Sequence, residues 1–273
     1  MSTEFLNQFE GRYAVITGGT QGLGEATARL FAKRGAAGLV ICGRNEEKGQ
    51  NVAQSLTETG CTTHFVKADL AKVEDCTEVI DRADREFGRI DILVNCAGLT
   101  DRGNILDTSV ELFDRMFAIN TRAPFFLMQG AAKIMRREGI AGAVVNVISM
   151  SSHGGQPFIC PYSASKGALT TLTKNAAFAL MRDRIRINGL NIGWMATPGE
   201  DRIQQNYHGA ADDWLEQAAA KQPFGRLLQP EEVARAIAFM SSDESGMMTG
   251  SVVDFDQSIL GCYDDPPQPA EKL

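Results

Sequence analysis

The stretch Tyr13-Ala14-Val15-Ile16-Thr17-Gly18-Gly19-Thr20-Gln21-Gly22-Leu23-Gly24 decides the fold. A compact apolar run, Tyr13–Thr17, meets a glycine-rich turn. Leu23, Ala26, Leu30 and Phe31 then recur at helical spacing. A strand that turns tightly into a helix leaves backbone N–H groups and the positive end of the helix dipole facing one point. That arrangement suits a phosphate-bearing ligand. The residues that would form the cradle are Gly18, Thr20, Gln21, Gly22, Leu23 and Gly24. On its own the motif also fits a plain β–α turn. Its spacing, G-x-x-x-G-x-G, differs from the G-x-G-x-x-G dinucleotide fingerprint.

Outward from this turn, short β-branched runs alternate with longer helical stretches. Strands are expected at Tyr13–Thr17, Gly38–Cys42, Thr62–Lys67, Ile90–Val94, Ala143–Ile148, Arg184–Leu190 and Ser251–Phe255. Helices are expected after Gly24, over Asn45–Thr59, Lys72–Phe87, Ser109–Arg137, Pro161–Met181 and Glu231–Met240. Strand-helix alternation with right-handed crossovers predicts an α/β fold: a doubly wound, seven-stranded parallel sheet with helices on both faces. No Pro/Gly/Ser-rich linker divides the chain, so residues 1–263 read as one domain. Thr197–Gly225 breaks the alternation and reads as a lid. The polar, proline-rich 264–273 reads as a tail.

Composition narrows the function classes. Lys+Arg total 27 against 34 Asp+Glu, and no basic run offsets the resulting −7, which argues against nucleic acid. No segment approaches the about 20 apolar residues that span a bilayer, which argues against a membrane partner. Met1–Arg12 lacks the apolar core of a signal peptide. Six cysteines stand scattered, with no C-x-x-C pair and no histidine at ligand spacing. They read as free thiols of a cytoplasmic protein, and no metal site is expected.

A second constellation carries chemistry. Tyr162 and Lys166 stand four apart in an expected helix and so share one face. Ser149 ends the fifth expected strand, at the sheet edge that also holds the glycine turn. A free tyrosine titrates near 10, and a neighbouring ammonium favours its phenolate. Tyr162 is then a candidate base toward an alcohol and acid toward a carbonyl. Ser149 is a candidate to stabilise the reacting oxygen, and Lys166 to hold a ribose.

With these residues in view, the chain resembles the short-chain dehydrogenase/reductase family from Gly11 to about Phe255. Thr17-Gly18-x-x-x-Gly22-x-Gly24 resembles its nucleotide loop and Tyr162-Ser-Ala-Ser-Lys166 its catalytic Y-x-x-x-K. Asn95-Cys96-Ala97-Gly98 resembles its N-N-A-G segment, with Cys96 replacing the second asparagine. The resemblance implies a Rossmann-type domain and a catalytic set of Asn120, Ser149, Tyr162 and Lys166. It adds Asp69, Leu70, Asn95, Ala97, Gly98, Ile192 and Thr197 as cofactor contacts beside Tyr162 and Lys166 themselves, and a homotetramer. Two segments depart from the pattern: Ile192-Gly193 stands for Pro-Gly, and Asp254-Phe255-Asp256-Gln257 for Asp-Gly-Gly.

After the second strand, Gly43 stands where an NAD enzyme carries an acid, and Arg44 where a base meets a 2′-phosphate. NADP(H) is therefore favoured, with NAD(H) the alternative. Ser151, His153, Gln156 and Trp194 are the candidate substrate contacts. The mixed polar lid points to a small hydroxylated substrate: a sugar, sugar acid or polyol. One alternative is a 3-oxoacyl-thioester reductase, with Arg102, Arg202 and Arg226 meeting carrier phosphate. Another is a non-catalytic cofactor sensor.

Overall fold

Seven strands pair side by side, every neighbour parallel, in the order β3-β2-β1-β4-β5-β6-β7. They are β1 (Tyr13–Thr17), β2 (Gly38–Gly43), β3 (Thr62–Lys67), β4 (Ile92–Asn95), β5 (Ala143–Val147), β6 (Arg186–Ile192) and β7 (Val252–Phe255). The computed structural model describes residues 7–262. The expected tail at 264–273, and the domain boundary at 263, lie outside the described residues. Strand order reverses between β1 and β4, which opens a crevice at the carboxyl edge of the sheet.

Helices cover both faces: α1 (Gly22–Lys33), α2 (Glu46–Glu58), α3 (Val73–Phe87), α4 (Val110–Phe117), α5 (Ala123–Arg137), α6 (Cys160–Leu180), α7 (Pro198–His208), α8 (Trp214–Ala220) and α9 (Pro230–Ser241). The two-residue period of the strands sorts side chains between the faces. Ala14, Ile16, Leu39 and Ile41 pack with Phe31, Val233 and Ile237 on one side. Val15, Val40, Leu93 and Val144 pack with Val79, Leu127 and Met135 on the other. Each fully buried aliphatic side chain contributes about 1.5–3 kcal/mol to holding the helices on the sheet. All six cysteines are free thiols. Among the described residues no His/Cys/Asp/Glu group is arranged to hold a metal, and no helix is long and apolar enough to cross a membrane.

Caps mark several helix starts. The Asn45 side chain accepts from the Lys48 N–H at 2.9 Å, and Ser109 from Leu112 at 3.2 Å. The single helix expected over 109–137 is instead three pieces. Between α4 and α5, Ala118–Arg122 forms a π-helical turn. Hydrophobic periodicity continues through such a turn, so the sequence does not announce it. Thr197–Gly225 folds as α7 and α8, with Thr197 capping α7 and Trp214 buried beneath it.

Candidate active site

The crevice widens into a cavity of about 1110 Å³. That lies just above the roughly 300–1,000 Å³ range of small-molecule pockets. All six residues of the glycine turn line it, as do Arg44, Asp69, Leu70, Ala97, Gly98, Ile192 and Thr197. Ser149, Ser151, Gln156, Tyr162, Lys166 and Trp194 line it too. Three expected site residues, Asn95, Asn120 and His153, do not.

The glycine turn is shaped by close approach. Gly18 has φ +68° and Gly22 φ +56°, both in the left-handed region. A Cβ on Gly24 would collide with the carbonyl of Gly18 and crowd the Gly19 nitrogen, all backbone atoms with nowhere to move. The first turn of α1 thereby sits against the loop, and Gly22, Leu23 and Gly24 line the cavity. The Thr17 hydroxyl accepts from Cys96 N–H at 2.9 Å and Ala97 N–H at 3.0 Å, fixing the opposite wall. Bare backbone, a helix N-terminus and Arg44 fit a dinucleotide with its pyrophosphate over α1. Gly24→Ala is expected to weaken dinucleotide binding by at least about tenfold and to lower the melting temperature. Fluorescence titration with NADPH and thermal unfolding check both.

The strand end and α6 bring the catalytic candidates together. Lys166 is 3% exposed, and its Nζ donates to the Val147 carbonyl at 2.9 Å and lies 5.9 Å from the centre of the Tyr162 ring. Burial lowers its pKa to about 8. The Tyr162 phenol is pushed above its ordinary 10 chiefly by burial. A hydrogen bond with Ser149 pulls it down, Glu200 pushes it up, and Arg102 pulls it down. Ser149 is itself buried and caps the short turn Met150–His153 by accepting from Ser151 N–H at 3.2 Å.

Asn120 supports this arrangement from outside the cavity. It is fully buried in the π-helical turn. Its amide donates to Leu99 O at 2.9 Å and Ser165 Oγ at 3.0 Å, and its oxygen accepts from Leu99 N–H at 2.8 Å. It ties the loop after β4 to the helix that carries Tyr162 and Lys166. Asn95 likewise turns away from the cavity. Its amide donates to Asn146 Oδ1 at 2.8 Å, and Asn146 donates to Thr173 on α6 at 2.9 Å. This buried chain registers α6 on the sheet, because a polar group at 2% exposure needs a partner. His153 points to β7 rather than the cavity. Its Nε2 lies 3.0 Å from Asp254 Oδ1 and 3.0 Å from Asn191 Nδ2. Burial raises the Asp254 pKa, but the bonds to Asn191 and His153 outweigh it and hold the carboxyl below its usual range.

Other cavity residues were not singled out from the sequence as substrate contacts. Phe158, Glu200, Gln204 and Asp256 line the wall, and Arg102 lies inside rather than in a basic patch at the mouth. Arg226, expected beside it in the thioester alternative, is occupied by Glu232 through two bonds of 2.7 Å. Cys96 also reaches the cavity, and burial pushes its thiol up to about 12 against the pull of Lys166.

Comparison with known proteins agrees with this geometry. The family model described as enoyl-(acyl carrier protein) reductase matches residues 18–257. An uncharacterized oxidoreductase of Thermotoga maritima is 36% identical, over 91% of this chain and 97% of its own. A cis-4-hydroxycyclohexanecarboxylate dehydrogenase of Sinomonas cyclohexanicum is 35% identical, over 91% and 96%. The solved L-sorbose reductase of Gluconobacter frateurii, complexed with NADPH and L-sorbose, superposes with a TM-score of 0.88 at 29% identity, covering 94% of this chain and 100% of that one. The chain belongs to the short-chain dehydrogenase/reductase family, NAD(P)-dependent oxidoreductases that interconvert alcohols and carbonyls.

Proposed function

We propose that the protein is an NADP(H)-dependent oxidoreductase of a small polyhydroxy substrate, with Tyr162 as the general acid and base. The observation that carries this is the shared wall: Ser149, Tyr162 and Lys166 face the same cavity as the glycine turn. The nicotinamide, when bound, supplies or accepts the hydride. Tyr162 supplies the proton to the carbonyl oxygen in reduction and removes it from the hydroxyl in oxidation. Ser149 donates a hydrogen bond to that oxygen as its charge develops. The Lys166 ammonium favours the phenolate and orients the ribose.

Cofactor choice rests on the end of β2. A Cβ on Gly43 would lie 2.7 Å from the Thr20 methyl, so an acidic side chain there has no room unless Thr20 moves. Arg44, exposed at the cavity rim, offers a forked donor to a 2′-phosphate. The relative solved with NADPH supports the same choice. Arg44→Ala is expected to reduce the NADP-over-NAD preference in kcat/KM by about ten- to a hundredfold. A wild-type enzyme that prefers NAD would overturn it.

The polar lid, with Glu200, Gln204 and His208 on the cavity wall, supports a hydroxylated substrate over a long apolar one. Aromatic pairs with one exposed ring each, Phe113 on Phe117 in α4 and Phe125 on Phe126 in α5, support a homo-oligomer, in this family commonly a tetramer. The free thiols support a cytoplasmic site of action.

A further inference from the structure

We propose that Arg102 and Glu200, set side by side on the cavity wall, read neighbouring hydroxyls of an uncharged polyol or ketose and turn away its carboxylate analogue. This rests on the polyhydroxy reading above and narrows it to neutral substrates.

The two side chains come from distant elements, and each is held firmly. Arg102 lies on the loop after β4, which is bridged to the residues before α6. Gly103 N–H donates to Phe158 O at 2.9 Å, and Cys160 N–H to Gly103 O at 3.1 Å. The Phe158 ring packs 5.4 Å from the guanidinium, Nη1 donates to Thr100 O at 2.8 Å, and Nε to His208 at 3.0 Å. Glu200 sits in the first turn of α7. Trp194 Nε1 and Gln204 Nε2 donate to its Oε1 at 2.9 and 2.7 Å. Each side chain is less than one-fifth exposed, at 16% and 17%.

What remains unused is a matched donor and acceptor. Arg102 Nη2 stands 3.9 Å from Glu200 Oε1, an ion pair too long for a hydrogen bond. Among the described residues nothing bonds Glu200 Oε2. A substrate hydroxyl can accept from Nη2 while its neighbour donates to the carboxylate. Both line the same cavity as Ser149 and Tyr162.

Charge then separates neutral from acidic substrates. Glu200 cancels Arg102 locally. The Asp256 carboxylate, against Gly193 and bonded by Ser258, also lines the cavity. A substrate carboxylate brought to Arg102 would sit beside the Glu200 carboxylate, which already offsets the guanidinium. A site with fixed polar groups discriminates strongly among ligands that do or do not satisfy them.

The test compares kcat/KM with NADPH for L-sorbose and D-fructose, for a ketogluconate of similar length, and for cyclohexanone. The wild type should favour the neutral ketoses over the acid by at least about tenfold. Glu200→Gln should lower the ratio of ketose to cyclohexanone kcat/KM at least about tenfold, chiefly through KM, and improve the acid relative to the ketose. A wild-type preference for the acid overturns the proposal without needing any variant to fold. So does turnover of ketoses whose ratio to cyclohexanone is unmoved in Glu200→Gln, in which case the polyhydroxy reading survives. Turnover of an acetoacetyl thioester alone overturns both.

Discussion

Tyr162→Phe should abolish turnover while leaving dinucleotide binding intact. The phenol lines the cavity with Ser149 and shares a hydrogen bond with it, and phenylalanine keeps the ring and removes only the hydroxyl. A loss of about a thousandfold or more in kcat is expected, within the usual range for a positioned acid–base group. NADPH affinity should change no more than a few-fold, since the glycine turn and Arg44 are untouched. The direction of the reaction sets the pH dependence. Burial holds the Tyr162 pKa above 10, so at neutral pH the phenol is protonated and ready to reduce a carbonyl. Alcohol oxidation needs the phenolate, so its rate should climb with pH where reduction falls. Stopped-time kinetics in both directions, with an NADPH fluorescence titration, check this. A sensor protein would show Tyr162→Phe unchanged in ligand response.

Lys166→Met should be inactive and yet more heat-stable. The ammonium is buried at 3% exposure, and its pKa drops from 10.5 to about 8. That difference corresponds to roughly 3 kcal/mol of destabilisation of the charged native form at neutral pH. Methionine removes it but leaves the Val147 carbonyl without its donor, which costs about 1 kcal/mol. The net gain of about 2 kcal/mol should raise the melting temperature by roughly 4–8 °C. The sign follows from proton counting. Between about 8 and 10.5 the unfolded lysine keeps a proton that the native one has shed, so wild-type stability rises with pH across that window. The advantage of Lys166→Met should therefore be full below pH 8 and fade by 10.5. Turnover should fall about a hundredfold or more, because the phenolate loses a cation held 5.9 Å from its ring centre. A melting temperature that falls instead would mean the charge is stabilised in the native protein.

The sequence carries this machinery unevenly. The glycine turn, the alternation of strands and helices, and the i,i+4 placement of Tyr162 and Lys166 are local patterns, and each is present, with element ends shifted by a residue or two and the 109–137 helix split. Contacts made across the chain leave no such trace. Asn95 looks like a cofactor contact within its motif, but its orientation depends on Asn146, 51 residues away. His153 follows the Ser149 turn and so looks like a substrate contact, yet its partner Asp254 is 101 residues on. Glu200 is hidden by its own neighbours. Thr197-Pro198-Gly199-Glu200 has the spacing of a capping box, which assigns the acid to the helix end. Only half of that box forms: Thr197 accepts from the Glu200 N–H at 3.1 Å, while the carboxylate bonds Trp194 and Gln204. Arg102 was legible as a cation near the mouth. Its pairing with Glu200 was not, because it joins the loop after β4 to α7.

The most direct measurement of the central claim is the initial rate of NADPH oxidation by the purified protein with neutral ketoses, beside the same assay with an acetoacetyl thioester. Steady oxidation of NADPH by L-sorbose or D-fructose, lost in Tyr162→Phe, is the predicted result. Oxidation of NADPH by the thioester alone, or ketose reduction that survives Tyr162→Phe, would contradict it.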